Sequence, residues 1–150
     1  MNWAHKFRVV AWWSSARTGI AKSDSAPNAI HFTAPIEFGG IEGRWTPEDL
    51  LLGAVASCFT TTFRTIAEHA QFEYVDFQVA ASGIVITNDS GCDFTGIAIR
   101  ADLTVDHEEK RELGLRLLHK AHGLCLVART LAVQQSFNPV VTAGVPSLMG

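Results

Sequence analysis

The chain has no basic cluster and no long run of like charge: 12 Lys and Arg stand against 15 Asp and Glu, for a formal net charge of −3. Nucleic-acid binding needs a positive stripe to neutralise phosphates, so that class of partner is excluded. Long apolar runs are missing too. The uncharged stretch with helical signals, residues 50–63, is about fourteen residues against the roughly 18 that a membrane-spanning helix needs, so no span is expected. Cysteine is scarce and odd in number, with Cys58, Cys92 and Cys125 but no Cys-x-x-Cys pair. That count fits a reducing compartment better than a disulfide framework. His5, Lys6 and Arg8 stand where a secretory leader would be apolar, so no signal peptide is expected and the expected location is cytoplasmic. Repeats, low-complexity tracts and linkers are lacking. The 150 residues, 47% of them hydrophobic, suit one domain (1–150) that is itself one protomer of a dimer.

What is present is organised around residues 45–63. Thr46 reads as an N-cap, Pro47 as the first helical position, and Glu48 and Asp49 load the first turn with acid. Asp49, three residues after Thr46, makes a near capping box. The pattern predicts a helix over 47–70. From Leu50 to Phe63 none of its faces is charged, so burial on all sides is expected. Cys58 lies in its middle.

Before the helix, strands are predicted over 7–13, from residue 20, and over 29–33, forming a meander, followed by a glycine-rich loop over 35–44. After it, 72–87 and 97–105 read as a hairpin about the turn 88–91. Alternation places Ile97, Ile99, Ala101, Leu103 and Val105 on one face. Asp106 is expected to cap a second helix whose Leu113, Leu117, Leu118 and Ala121 face inward and which ends at Gly123. Residues 124–131 form a short helix or extension, and 137–142, interrupted by Pro139, an edge strand. This order implies an α+β fold with mostly antiparallel sheet. A sheet covers only one side of the central helix, so an obligate homodimer is expected to cover the rest.

Cys58 is the first candidate for chemistry. A free cysteine is most often a small buried hydrophobe, and apolar burial raises its pKa. A reactive Cys58 therefore needs a nearby cation. Arg17 and Arg44, both in glycine-containing loops, qualify, with Arg64 on the same helix a weaker choice. Glu48, ten residues before Cys58, sits roughly 15 Å away along a helix, too far to touch the thiol but able to orient an arginine that reaches it. As a first-turn acid it also simply serves the helix dipole. Cys125 is a second thiol, and spacing alone does not pair it with Cys58. Cys92, beside a turn, reads as structural or exposed. His119, His122 and Cys125 make an incomplete ligand set, so no metal is expected.

The elements Thr46-Pro47-Glu48, Ala56-Ser57-Cys58-Phe59 and Gly123-Leu124-Cys125, with the loop 32–45 leading into Trp45, resemble the OsmC/Ohr family of thiol-dependent organic hydroperoxide reductases along most of the chain. The resemblance implies an OsmC-like α+β fold with antiparallel sheets packed around two long helices, in an intertwined homodimer. It implies Cys58 as the peroxide-attacking thiolate, Cys125 as the resolving thiol, and Arg17 with Glu48 as the activating pair. Ala16-Arg17-Thr18-Gly19 matches the family's glycine-rich Arg turn approximately, and Leu126 stands where many members have proline. The implied reaction reduces an organic hydroperoxide to an alcohol, without a cofactor, and is reset by an external dithiol such as a lipoyl group. Phe38, Trp45, Phe59 and Phe63 are expected to wall the substrate pocket. The alternative is a non-catalytic dimer of the same fold that binds a small ligand and keeps its cysteines for packing.

Overall fold

The structure is a computed structural model, described over residues 3–144. Its contacts divide into an N-terminal unit ending at Leu51 and a C-terminal unit beginning at Leu52.

The N-terminal unit contains the expected meander, an antiparallel sheet of order β1-β2-β3 with β1 at Val9–Ser15, β2 at Thr18–Ser23 and β3 at Ile30–Phe32. The turn joining β1 and β2 is tighter than the sequence suggests. Ser15 already pairs with Thr18, leaving Ala16 and Arg17 to make the turn, and Ala16 takes a φ of 37°. β1 is exposed along its whole length, including Trp12 and Trp13. The sheet closes on the loop that follows it through Thr33, which is fully buried. Its hydroxyl donates to the Arg17 carbonyl (2.8 Å) and accepts from the Ile41 amide (3.1 Å), while its own amide donates to the Trp45 carbonyl (2.9 Å).

Helix α1, Pro47–His69, starts as its sequence dictates. The Thr46 amide donates to Asp49 Oδ2 (2.9 Å) and the Asp49 amide to Thr46 Oγ1 (3.1 Å), a reciprocal capping box. Among the described residues α1 is one helix long and apolar enough to cross a membrane by length and composition. It is a core helix: Val55, Phe59, Phe63, Ile66 and Ala67 are buried in the hydrophobic core. Burial on all sides is not what the single chain shows, because Ser57, Thr60 and Thr61 are exposed. Their hydroxyls fold back on the carbonyls of Ala54, Ala56 and Cys58, which gives this face polarity without charge.

The C-terminal unit carries a second sheet of order β4-β5-β6, with β4 at Asp76–Asn88, β5 at Gly91–Val105 and β6 at Gln135–Ala143. β4 and β5 form the expected antiparallel hairpin, but β6 runs parallel to β5, so this sheet is mixed rather than antiparallel. The helices between β5 and β6 carry the chain back to the same end of the sheet, which is what a parallel neighbour requires. Pro139 lies on the edge strand opposite Ala101. Ile97, Ile99, Ala101, Leu103 and Val105 are all buried, as alternation demands. Phe59 and Phe63 reach this face from α1, with ring centroids 5.4 Å from Phe137 and 4.3 Å from Phe77 respectively.

The second helix, α2 (Arg111–Leu124), departs from expectation in three ways. A single 3-10 turn, Glu108–Lys110, precedes it, so Lys110 and not Asp106 occupies the N-cap. The Asp106 carboxylate instead takes the Lys110 ammonium at 2.9 Å. Leu113 is exposed and Gly114 faces the core, because a Cβ on Gly114 would lie 3.0 Å from Leu103. The helix also runs one residue past Gly123. A short helix, α3 (Leu126–Thr130), follows directly.

Candidate active site

Cys58 sits on α1 between the turns that carry the buried Val55 and Phe59, and is itself half-buried. Cys125 is fully buried at the junction of α2 and α3, where it is the N-cap of α3 with extended backbone (φ −63°, ψ 110°). A helix leaves its first amides without intrahelical partners. Here those of Leu126 and Val127 turn toward the sulfur of Cys58, joined by the thiol of Cys125 and the hydroxyl of Thr62. The fold thus brings together two thiols 67 positions apart that spacing alone does not pair.

The environment separates the two thiols chemically. Burial pushes the pKa of Cys58 up, but the Val127 amide, the Cys125 thiol, the Thr62 hydroxyl and the Leu126 amide outweigh it and hold the group below its ordinary 9.0. Cys125 moves the opposite way. Burial raises it above 9.0, the amides of Ala128 and Val127 oppose this only in part, and the adjoining Cys58 sulfur adds to the rise. A low-pKa thiol beside one that keeps its proton is the arrangement a nucleophile and a resolving thiol require.

The remaining candidates are spread over the chain. Arg17 is exposed in the β1–β2 turn, with its backbone carbonyl fixed by Thr33, and Arg44 is exposed in the loop before α1. Within the N-terminal unit neither arginine is ion-paired with Glu48, whose Oε2 is buried without a hydrogen-bond partner. Arg64 is exposed near the end of α1. Of the four residues expected to wall a pocket, Phe38 and Trp45 are exposed in the N-terminal unit. Phe59 and Phe63 are fully buried and pack against Phe77, Phe137 and Tyr74. Cys92 is exposed with its sulfur 3.2 Å from Thr87 Oγ1. His122 stacks on Phe137 (4.4 Å), and His119 meets the same ring edge-on. No cluster of three metal-ligating side chains occurs among the described residues.

Four contributors escape the sequence-based reading. Thr62 is legible in principle, being one helical turn beyond Cys58 on the same face. The amides of Leu126 and Val127 carry no side-chain signature. Thr33 gives no sign in the sequence that its hydroxyl joins two loops.

Comparison with known proteins follows the same lines. The family described as "OsmC-like protein" matches residues 39–138. An uncharacterized Bacillus subtilis protein, YmaD, is 25% identical over 130 residues, 85% of this chain and 87% of its own length. An "organic hydroperoxide resistance protein-like" protein of Mycoplasma genitalium is 25% identical over 126 residues, 83% of this chain and 86% of its own. Among solved structures, an OsmC-like protein of unknown function from Vibrio cholerae superposes with a TM-score of 0.78 at 17% identity, over 91% of this chain and all of its own.

Proposed function

This chain belongs to the OsmC-like protein family, and on that premise we propose that it is a thiol-dependent peroxidase that reduces organic hydroperoxides to alcohols. The observation that carries the reading is the pairing of Cys58, lowered in pKa, with the buried and raised Cys125. The Cys58 thiolate attacks the distal oxygen of ROOH, the O–O bond breaks, and the departing alkoxide takes a proton to leave as ROH. Cys58 is left as a sulfenic acid. Cys125 then attacks that sulfur, a disulfide forms, and the sulfenic oxygen leaves as water. An external dithiol, such as a lipoyl group, reduces the disulfide by exchange and is itself oxidised.

Arg17, with Glu48 to orient it, is the proposed holder of the peroxide and of the thiolate charge. The buried, unpartnered Oε2 of Glu48 supports this, because such an oxygen is costly until a donor reaches it. Phe38 and Trp45, exposed beside this loop, remain the proposed apolar contacts for the organic group. The 150 residues are proposed to act as one domain and as one protomer of a homodimer. The uncovered Trp12 and Trp13 of β1 and the open hydroxyl face of α1 support an assembly that covers them. Three free thiols suit a reducing, cytoplasmic setting.

The decisive experiment is intact-mass analysis after one equivalent of cumene hydroperoxide. A loss of two hydrogens, mapped to a Cys58–Cys125 disulfide, is expected. Unchanged thiols with no peroxide consumed would overturn the peroxidase in favour of a ligand-binding dimer. Sedimentation at micromolar concentration tests the assembly, and a stable folded monomer would reject it.

A further inference from the structure

The threonines of α1 do not all behave alike. Thr60, Thr61 and Thr65 are exposed, and each hydroxyl donates to a carbonyl one turn back, on Ala56 (2.8 Å), Cys58 (3.0 Å) and Thr61 (3.1 Å). That is the usual fate of a threonine hydroxyl inside a helix. Thr62 is half-buried and makes no such bond. It stands four residues after Cys58, the spacing that brings two side chains of one helical face into contact. It also borders a depression of about 300 Å³ lined by Thr61, Thr65, Ile66 and Leu124.

We infer that Thr62 is a positioning residue for Cys58: its hydroxyl, not spent on the helix backbone, donates to the sulfur and holds it in the reactive rotamer facing Cys125. The inference rests on the peroxidase reading for its purpose but not for its geometry. The low acidity threshold of Cys58, to which the Thr62 hydroxyl contributes, agrees with it. The hydroxyl can play this part because a thiolate only accepts, and Thr62 brings a donor without a charge of its own. The titratable group facing Cys58 from the neighbouring element is Cys125, which the substitutions below leave untouched.

The test uses the full-length protein and reads the rate of iodoacetamide alkylation of Cys58 as a function of pH. Trypsin cuts after Arg44, Arg64, Arg100, Lys120 and Arg129, so the three cysteines fall in different peptides and Cys58 is followed alone by mass spectrometry. Thr62→Val, which keeps the shape and removes the hydroxyl, is expected to slow alkylation at about pH 6 by roughly tenfold and to move the profile to higher pH, the effect of losing one hydrogen bond to a charged acceptor. Thr62→Ser is expected to restore both. Thr62→Ala, a better helix former than either, supplies the hydroxyl-free measurement if the valine variant folds poorly. A wild-type profile in Thr62→Val or Thr62→Ala overturns the inference, as does an equal displacement in Thr62→Ser, which would assign the effect to packing. The two readings separate cleanly. If wild-type Cys58 consumes no hydroperoxide while Thr62→Val still displaces the alkylation profile, the peroxidase fails and the Thr62 contact stands. If the enzyme turns over peroxide and Thr62→Val alkylates as wild type, only the contact fails.

Discussion

Cys125 holds its thiol against the sulfur of Cys58, and the acidities of the two groups move apart, Cys58 below the ordinary thiol value and Cys125 above it. The cause is local. Backbone amides of α3 act on both sulfurs, but at Cys58 they, with the Cys125 thiol and the Thr62 hydroxyl, outweigh burial, whereas at Cys125 burial wins. Each thiol also acts on the other, since a charge on one sulfur makes a second charge beside it unfavourable. In the proposed reaction this asymmetry sets the order of events: Cys58 would ionise and react first, with Cys125 protonated until a sulfenic acid forms beside it.

Substitution of each cysteine tests that order. Cys58→Ser is expected to abolish hydroperoxide consumption. Cys125→Ser is expected to consume about one equivalent per chain, leave a sulfenic acid trappable by dimedone, and stop. The equivalents consumed, read by a peroxide assay, decide between this order and its reverse. If Cys125→Ser is inert while Cys58→Ser still reacts once, the roles are exchanged.

The pH dependence has a definite sign. Cys58 is an acid whose pKa is lowered by folding, so between its lowered value and the ordinary 9.0 the unfolded chain binds more protons than the native one. Stability therefore rises with pH across that window, is fully present above 9.0, and is lost as pH falls through the lowered value. Cys125, raised, works the other way and loses its contribution as pH climbs past 9.0. Urea midpoints measured from neutral to alkaline pH should rise less for Cys58→Ser than for wild type. Parallel curves would show that the Cys58 environment does not favour the thiolate.

Much of this architecture was legible because local chemistry and burial point the same way. Thr46, Pro47 and Asp49 announce the start of α1, and the alternation from Ile97 to Val105 announces the inner face of β5. Expectation failed where tertiary context decides. Nothing in 137–142 tells whether that strand runs parallel or antiparallel to β5; the path of the preceding helices sets it. The ring partners of Phe59 and Phe63, Phe137 and Phe77, are equally invisible in the sequence, because the fold alone brings them together. At the site the two thiols were visible, but the groups that tune them are largely backbone amides, which every residue except proline carries.

Thr33 offers a test of how the N-terminal unit holds Arg17. Thr33→Val leaves the Arg17 carbonyl and the Ile41 amide without their buried partner, a loss of about 1–3 kcal/mol for an unsatisfied group. The expected result is faster tryptic cleavage after Arg17 and a lower melting temperature, both reversed by Thr33→Ser. Equal protection of the turn in wild type and Thr33→Val would show that it is held by other contacts.

Glu48 separates two explanations that the sequence leaves equal. As a first-turn acid it favours α1 through the helix dipole, worth about 0.3–1 kcal/mol, and Glu48→Gln would then lower stability slightly and leave chemistry alone. As the partner of a guanidinium it would do the reverse. Its Oε2 is buried and unpartnered, so the single chain bears the desolvation cost of that oxygen with no compensating bond. Glutamine keeps the shape and removes the charge, relieving that cost while losing the charge-assisted grip on arginine. The expected outcome is a drop of roughly tenfold or more in kcat/KM toward an organic hydroperoxide, the loss of one charged hydrogen bond, with a melting temperature equal to wild type or above it. Arg17→Lys should lower kcat/KM too, because an ammonium does not reproduce the bidentate fork, and the double variant should be little worse than either single one. If Glu48→Gln retains wild-type kcat/KM and melts lower, the carboxylate belongs to the helix alone, and a cation other than an oriented Arg17 must serve Cys58.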